Sequence, residues 1–262
     1  MQQHERAAKR ARLRLVGLGA LVAVTVTGAG VLLVTNLGDD SGKGGPLAAP
    51  TSSASASAPA GSPSPSGTEE PGTMTPGKSK PVKLKVPTGQ KDGASTGFPK
   101  DGLGAISAAA YHMDELSMLD DDMVRRQLTA VTAKGSEASI DKAVSNVRAL
   151  REAVGLPPSG GTPAGMTVTT HVDAVRGKSL VPDGSVVQVW LHYSRTATLP
   201  KAAPDDGPLK DQLSDVIMKW EDGDWKITTE AQYVAKRTFA VAYDPASRAA
   251  WLDGWWVVVR AD

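Results

Sequence analysis

The sequence contains no cysteine among its 262 residues. This absence excludes disulfide bonds, thiolate nucleophiles and sulfur-ligated metal sites. The chain also lacks a glycine-rich phosphate loop with its lysine, a serine nucleophile elbow and the zinc-protease helix motif. We therefore predict no cofactor, no bound metal and no catalytic residue, and any folded domain must gain its stability from a packed core.

The N-terminus combines a basic start with a long uncharged run. Residues 1–14 carry five lysines and arginines against one glutamate, and the 23 residues from 15 to 37 carry no charge. As a helix, this run would be about 34 Å long, enough to cross a hydrocarbon core of about 30 Å. Asp39 and Asp40 follow it. The sequence therefore predicts one transmembrane helix over residues 15–37, with a cytoplasmic tail before it and an extracytoplasmic remainder after it.

A cleaved signal peptide is the alternative interpretation of this segment. Its apolar region usually spans about 7–15 residues and ends at a small-x-small cleavage site. Here the apolar run is longer, and the candidate site at residues 45–50, GPLAAP, lies well past its end. A retained membrane anchor is favoured, and either interpretation exports most of the chain.

Residues 38–97 are dominated by Gly, Pro, Ser, Ala and Thr. Such a segment has too few large apolar side chains to offset the entropy of ordering, so we predict a disordered linker with a reach of about 40–45 Å. Its last part is basic, which indicates either a solvated tail or contact with anionic lipid or wall polymer. The lysines of this part are Lys78, Lys80, Lys83, Lys85 and Lys91.

Residues 98–262 have the length of one ordinary domain. They contain 18 Lys and Arg against 22 Asp and Glu, a net charge of −4. A nucleic-acid-binding domain should show the opposite balance, so no direct nucleic-acid binding is expected.

The hydrophobic pattern of this domain changes from helical to strand periodicity. Apolar stripes predict a helix from about Leu103, a second helix capped by residues 120–122, and a third from Ser136 that ends at Gly155. Alternation follows at residues 166–175 and 185–195. Helices followed by antiparallel strands predict an α+β domain, with the helices packed on one face of a curved sheet.

A hairpin is predicted around Asp222-Gly223, a preferred pair for a two-residue type I′ turn. This turn places Trp220 opposite Trp225 and Met218 opposite Ile227, with one dry face and one mostly wet face.

The C-terminal residues predict a short helix and a final strand. Asp244 is the expected N-cap, Pro245 the first helical residue, and Gly254 the stop. Residues 255–259 are apolar at every position, so this strand must be covered on both faces or contact a partner. Burial within the domain is the favoured interpretation.

The candidate site consists of polar and aromatic side chains on the predicted strands. His171 and Asp173 share one strand face, and Gln188, Trp190 and His192 share a face of the next strand. If both faces line one concavity, they form a pocket suited to acid–base chemistry or a metal. Ordinary surface residues and a non-catalytic groove are the other interpretations. With the C-terminal tryptophans, the candidates for pocket or partner contact are His171, Asp173, Gln188, Trp190, His192, Trp255 and Trp256.

These features in this order resemble a known family. The W-x-D-G-x-W-x-I hairpin at residues 220–227 resembles that of nuclear transport factor 2-like, cone-shaped domains. A membrane-tethered, exported domain of this type is similar to the VirB8/TcpC class of conjugation-channel scaffold proteins in type IV secretion. The composition resembles that of a high-GC Gram-positive bacterium. The resemblance implies no catalytic residues, and it implies self-association and docking of other channel subunits.

Three hypotheses follow from the sequence. The leading one is a single-pass membrane subunit that scaffolds a conjugative or related secretion machine. The second is an envelope-stress or lipid-transport accessory protein that binds a small apolar or wall-derived ligand in its cone. The third is a ketosteroid-isomerase-like enzyme that uses His171, Asp173 or His192, and it requires these side chains to converge in one pocket.

Overall fold

The computed structural model describes residues 74–198 and 208–260. The predicted cytoplasmic tail, the predicted span at residues 15–37 and most of the predicted linker lie outside this range. None of the helices within the described ranges is both long enough and apolar enough to cross a membrane. The described residues form an α+β fold, as predicted, with three longer helices packed on a curled, mostly antiparallel sheet.

The first two helices begin where an aspartate supplies a capping group. Asp101 accepts a hydrogen bond from the Gly104 N–H at 2.6 Å, and Asp120 accepts one from the Met123 N–H at 2.8 Å. These caps satisfy N–H groups that have no partner within a helix. Five helices follow in chain order: α1 (Gly102–Glu115), α2 (Asp121–Val131), α3 (Ala138–Ala153), α4 (Ala231–Val234) and α5 (Arg248–Asp253).

The strands have very unequal lengths. In chain order they are β1 (Val82–Lys83), β2 (Gly89–Lys91), β3 (Ala94–Thr96), β4 (Thr167–Ser179), β5 (Val186–Thr198), β6 (Leu209–Glu221), β7 (Asp224–Ile227) and β8 (Trp256–Val259). Six of them form one sheet in the order β1-β8-β4-β5-β6-β7, in which only β1 and β8 are parallel. The other two, β2 and β3, form a separate antiparallel hairpin.

The inner face of the six-stranded sheet packs against α1 and is filled by side chains. The completely buried ones include Val189, Leu191, Tyr193, Met218 and Trp225. This is the cone-like arrangement predicted from the order of helices and strands.

The outer face of the sheet is covered by the chain that follows α4. We call residues 235–255 the covering segment. The Gln188 side chain exchanges hydrogen bonds with the backbone of Thr238, at 3.0 and 3.1 Å, and Arg237 pairs with Asp215. The prediction of a mostly wet outer hairpin face is wrong, because Ile217, Asp224 and Thr228 are buried and the other three side chains of that face are only partly exposed. Strand alternation alone could not reveal this cover, because it comes from a segment about twenty residues further along the chain.

A β-bulge at Asp173 changes which side chains of β4 face the core. Val172 pairs with Tyr193 and Ala174 pairs with His192, so Asp173 is the extra residue. Val172 and Val175 both lie in the inner core, whereas Ala174 packs on the outer face against Trp190. Simple alternation placed Ala174 on the same face as Val172, and the bulge makes that expectation wrong.

The folded region begins before Phe98. Leu84 is buried in the main core, and β1 pairs with β8 at the sheet edge. The prediction that the linker extends to residue 97 is therefore wrong for residues 76–96. Sequence reasoning missed these strands because they have only two or three residues, and the partner of β1 is β8, at the other end of the domain. We call residues 74–86 the N-terminal strap.

The register predicted for the hairpin of β6 and β7 is confirmed. Trp220 faces Trp225, and Met218 faces Ile227. Asp222 and Gly223 both have positive φ, 52° and 82°, as a type I′ turn requires. The indole rings lie edge to face with centroids 5.5 Å apart, but only Trp225 is completely buried.

The C-terminal helix begins later than predicted. Ser247, not Asp244, is its N-cap and accepts a hydrogen bond from the Ala250 N–H. Asp244 instead accepts one from the Ala246 N–H and shapes the preceding turn. The predicted stop is confirmed, since Gly254 adopts φ 92°, a left-handed conformation that glycine reaches without strain.

Candidate functional site

The structure brings together two of the seven predicted site residues. Asp173 and His192 line one cleft on the outer face of the sheet, between the sheet and the covering segment. His171 is exposed and is not among the residues that line this cleft. Of the two strand histidines, only His192 reaches the cleft, where it meets one carboxylate, that of Asp173.

The other predicted residues hold the fold together. Gln188, Trp190 and Trp255 are buried where the covering segment meets the sheet. The Trp255 indole N–H donates to the Val241 carbonyl at 2.8 Å. Trp256 is different, because 40% of its surface is exposed and its ring lies against Trp251.

The cleft around His192, which we call the outer cleft, has a volume of about 340 Å³. It combines acidic groups with apolar walls, and no lysine or arginine is among its lining residues. These residues are Asp173, His192, Asp211, Leu213, Ala242, Tyr243, Pro245 and Val257.

The β4 bulge explains how Asp173 reaches His192. It turns the carboxylate of the extra residue toward the outer face, where Asp173 Oδ1 lies 2.5 Å from His192 Nδ1. This hydrogen bond orients the imidazole and leaves Nε2 as the ring nitrogen on the side of Asp211. The Tyr243 ring packs against the imidazole with a centroid distance of 4.6 Å.

Asp211 approaches the other nitrogen of the same imidazole. Its Oδ1 lies 3.5 Å from His192 Nε2, and its side chain is largely exposed. Asp211 has φ 54°, which is unusual for a residue other than glycine. Two other aspartates with positive φ, Asp92 and Asp222, occupy tight hairpin turns, whereas Asp211 lies within β6. It accompanies a second register shift, between Tyr193 and Arg195 of β5.

The electrostatic environment of the cleft favours protons and cations. Burial raises the pKa of Tyr243, and the nearby carboxylates of Asp173 and Asp244 raise it further. The Tyr243 hydroxyl therefore stays protonated at neutral pH and can donate a hydrogen bond. No cluster of three or more metal-ligating side chains occurs within residues 74–198 and 208–260.

This arrangement can bind a hydrogen-bond donor and exchange a proton with it. Asp173 holds Nδ1 of His192, so the imidazole can exchange a proton with a bound ligand through Nε2, which Asp211 Oδ1 approaches at 3.5 Å. The lining residues include no serine, threonine, cysteine or lysine that could act as a nucleophile.

Sequence reasoning missed Asp211, Leu213 and Tyr243. Asp211 and Leu213 lie in the first part of β6, and Asp211 falls within residues 196–212, a proline- and glycine-containing stretch that the sequence indicates as a loop. Tyr243 comes from the covering segment. No local sequence pattern marks these residues as neighbours of His192, because their approach depends on the sheet register and on the covering segment.

No protein-family model, curated protein or solved structure matches this chain.

Proposed function

We propose that this chain is a single-pass membrane-anchored scaffold subunit of a conjugative, type IV secretion-like machine. Its exported domain, of nuclear transport factor 2-like fold, acts by self-association and by docking partner subunits, and it catalyses no reaction. The order of basic tail, apolar run, linker and α+β domain supports this proposal.

The filled interior of the cone favours a role at the surface. Leu191, Tyr193 and Trp225 are completely buried between α1 and the sheet. A ligand carrier of the same fold would need that space for its ligand. The hypothesis of an apolar ligand inside the cone is correspondingly weaker.

The observation that carries the proposal is the exposed apolar surface near the C-terminus. Within the described residues, seven large apolar side chains are exposed, and five of them lie between residues 239 and 259. Phe239 is completely exposed, and Leu252 is 72% exposed. Apolar side chains concentrated on one segment indicate a surface for protein partners. The five are Phe239, Val241, Leu252, Trp256 and Val259.

Self-association is tested with the full chain purified in detergent micelles. We expect concentration-dependent oligomers by analytical ultracentrifugation, and we expect Phe239→Ser and Leu252→Ser to raise the dissociation constant by about tenfold or more. Val86→Ser is the matched control, because Val86 is 56% exposed but lies on the N-terminal strap. A chain that stays monomeric at high concentration contradicts self-association.

Partner docking is tested by photo-crosslinking in the native envelope. A photoreactive amino acid at position 252 should give adducts with itself and with other membrane subunits of the secretion channel. Adducts with unrelated envelope proteins alone would contradict the assignment to a secretion machine.

A second candidate function rests on the Asp173–His192 contact in the outer cleft. This pair supplies part of the convergence that the enzyme hypothesis requires, since His171 does not line the cleft, and the site lies outside the cone. Because the cleft is acidic, lysine methyl ester is a suitable amine probe. An NMR shift of the His192 ring resonances on addition of the probe, lost in Asp173→Asn, supports a ligand site in the cleft. Unchanged spectra at saturating probe contradict this second function.

A further inference from the structure

The N-terminal strap carries a row of lysines that the fold leaves exposed. Lys78, Lys80, Lys83 and Lys85 all point into solvent. Their neighbours Ser79 and Leu84 are buried, and Val82 packs against the main core. The strap therefore attaches to the domain through one side and presents lysines from the other.

None of these lysines forms an ion pair with another described residue. The ion pairs within residues 74–198 and 208–260 use other side chains. The domain is otherwise mildly acidic, with the net charge of −4 counted above for residues 98–262. The positive charge is thus concentrated on one edge of an acidic domain.

A groove beside the strap adds a fifth cation. It has a volume of about 510 Å³ and lies between the strap and the covering segment. Lys78 and Arg248 line it, and its lining contains no carboxylate. Arg248 is exposed and likewise makes no ion pair with a described residue. Such a groove suits an anionic headgroup rather than a cation.

We infer that the N-terminal strap docks this domain on a membrane surface rich in anionic phospholipids. This inference rests on the membrane anchor of the proposed function. Only 36 residues separate the end of the predicted span at residue 37 from residue 74. A flexible chain of this length reaches about 30–36 Å, so the strap stays within reach of the headgroups. Lysines near an anionic surface are attracted within about a Debye length.

The absence of cysteine makes the test direct, because a single label site can be introduced. The full chain carrying Val86→Cys is labelled with an environment-sensitive fluorophore and reconstituted in lipid nanodiscs. One disc contains phosphatidylcholine alone, and the other contains phosphatidylcholine with phosphatidylglycerol. We expect a blue shift and quenching by headgroup-proximal spin labels only with phosphatidylglycerol, and we expect salt to reverse both.

The lysines are tested by a charge-matched pair of triple variants. Lys80→Gln, Lys83→Gln and Lys85→Gln together should lower the ratio of docked to undocked domain by about a hundredfold. Lys142→Gln, Lys178→Gln and Lys210→Gln remove the same charge from exposed sites on α3, β4 and β6. The control triple should change the ratio by less than about twofold. An equal loss in both variants overturns a specific role of the strap.

Three further outcomes separate this inference from its premise. A chain that does not remain with phosphatidylcholine discs disproves the anchor, whatever the label shows. A label that responds to soluble polyglycerol phosphate but not to phosphatidylglycerol discs overturns lipid docking and assigns the strap to wall polymer. A label that responds to neither overturns the inference with the anchor intact.

Discussion

Trp225 connects the C-terminal half of the domain to the start of α1. Its indole N–H donates to the Pro99 carbonyl at 2.8 Å, and its ring is completely buried in the main core. The adjacent Asp224 carboxylate accepts from the N–H groups of Gly97 and Phe98. One short strand therefore fixes the chain that enters the first helix.

Truncating Trp225 should be far more costly than truncating its partner. We expect Trp225→Ala to lower the free energy of unfolding by about 3–5 kcal/mol, because it leaves a large cavity in the core and removes the indole hydrogen bond to Pro99. Trp220→Ala should cost clearly less, since Trp220 is only half-buried. Chemical denaturation of both variants measures the difference. Equal losses of unfolding free energy would contradict the conclusion that only Trp225 is completely buried.

Asp121 ties α2 to the loop after α3. Its carboxylate accepts from the Gly160 N–H and the Ser159 hydroxyl, each at 2.8 Å, and pairs with Arg148 at 2.8 Å. The Gly160 hydrogen bond is the largest of the effects that hold the Asp121 pKa well below its ordinary value.

The lowered Asp121 pKa predicts a specific acid sensitivity. In the unfolded chain this carboxyl binds a proton below about pH 4, whereas in the folded domain it stays ionised to lower pH. Its contribution is therefore complete at neutral pH and is lost as the pH falls below about 4.

Asp121→Asn should lower stability by about 1–3 kcal/mol at pH 7 and have less effect at pH 3. Asp141→Asn is the control, because Asp141 forms only an exposed pair with Arg125. Denaturation midpoints between pH 7 and pH 3 measure both. A deficit for Asp121→Asn that is the same at both pH values would contradict this assignment.

At the scale of elements, α1 packs closely against the preceding loop and against β7 at Gly104. A Cβ built on Gly104 would lie 1.9 Å from the Pro99 carbonyl oxygen and 3.2 Å from Trp225 Nε1. A Cβ on Gly102, one position before Leu103 in the same helix, meets nothing within 4 Å. Close packing therefore requires glycine at position 104, whereas position 102 has room for a side chain.

These contacts predict substitutions of opposite sign. Gly104→Ala should destabilise the domain by about 1–3 kcal/mol, because backbone atoms must move to admit the methyl group. Gly102→Ala should be neutral or stabilising by up to about 1 kcal/mol, because alanine favours the helix. Thermal unfolding of the two variants measures both effects. A loss of stability in Gly102→Ala as large as that in Gly104→Ala would contradict the prediction.

The sequence predicted those elements that are specified by local patterns. Helix stripes, the cap at Asp120 and the Asp222-Gly223 turn are each readable within one window and are confirmed, whereas the cap predicted at Asp244 is wrong because Ser247 caps that helix. The Asp173 bulge was not readable, because it depends on which residues of β5 lie opposite. The outer cleft shares this limit, since Tyr243 and Asp211 reach His192 only once the covering segment and β6 are in place.

At the scale of the whole molecule, the domain depends on its first and last strands together. Val82 pairs with Val258, and Lys83 pairs with Val259. Leu84 then enters the same core as Phe98 and Val258. The unit that folds thus includes residues 82–84, which precede the boundary at residue 98 indicated by composition.

Two truncations test this boundary. A chain that begins at residue 74 should unfold cooperatively and at a higher denaturant concentration than one that begins at residue 98. The shorter chain loses Leu84, whose removal from the core alone is worth about 2–5 kcal/mol by analogy with leucine truncation. Circular dichroism against urea concentration compares them, and equal midpoints would restore the linker interpretation of residues 76–96.

The pairing of β1 with β8 also determines how the domain responds to mechanical force. In the chain we propose, β1 follows the membrane anchor and β8 follows the covering segment. Tension between the anchor and a partner bound to the covering segment therefore passes through the contact between β1 and β8. The two strands are parallel and share two residue pairs, so the load meets them at the same end and opens the pairs one after the other. Single-molecule pulling should therefore show release of the strap at a lower force than rupture of the remaining sheet.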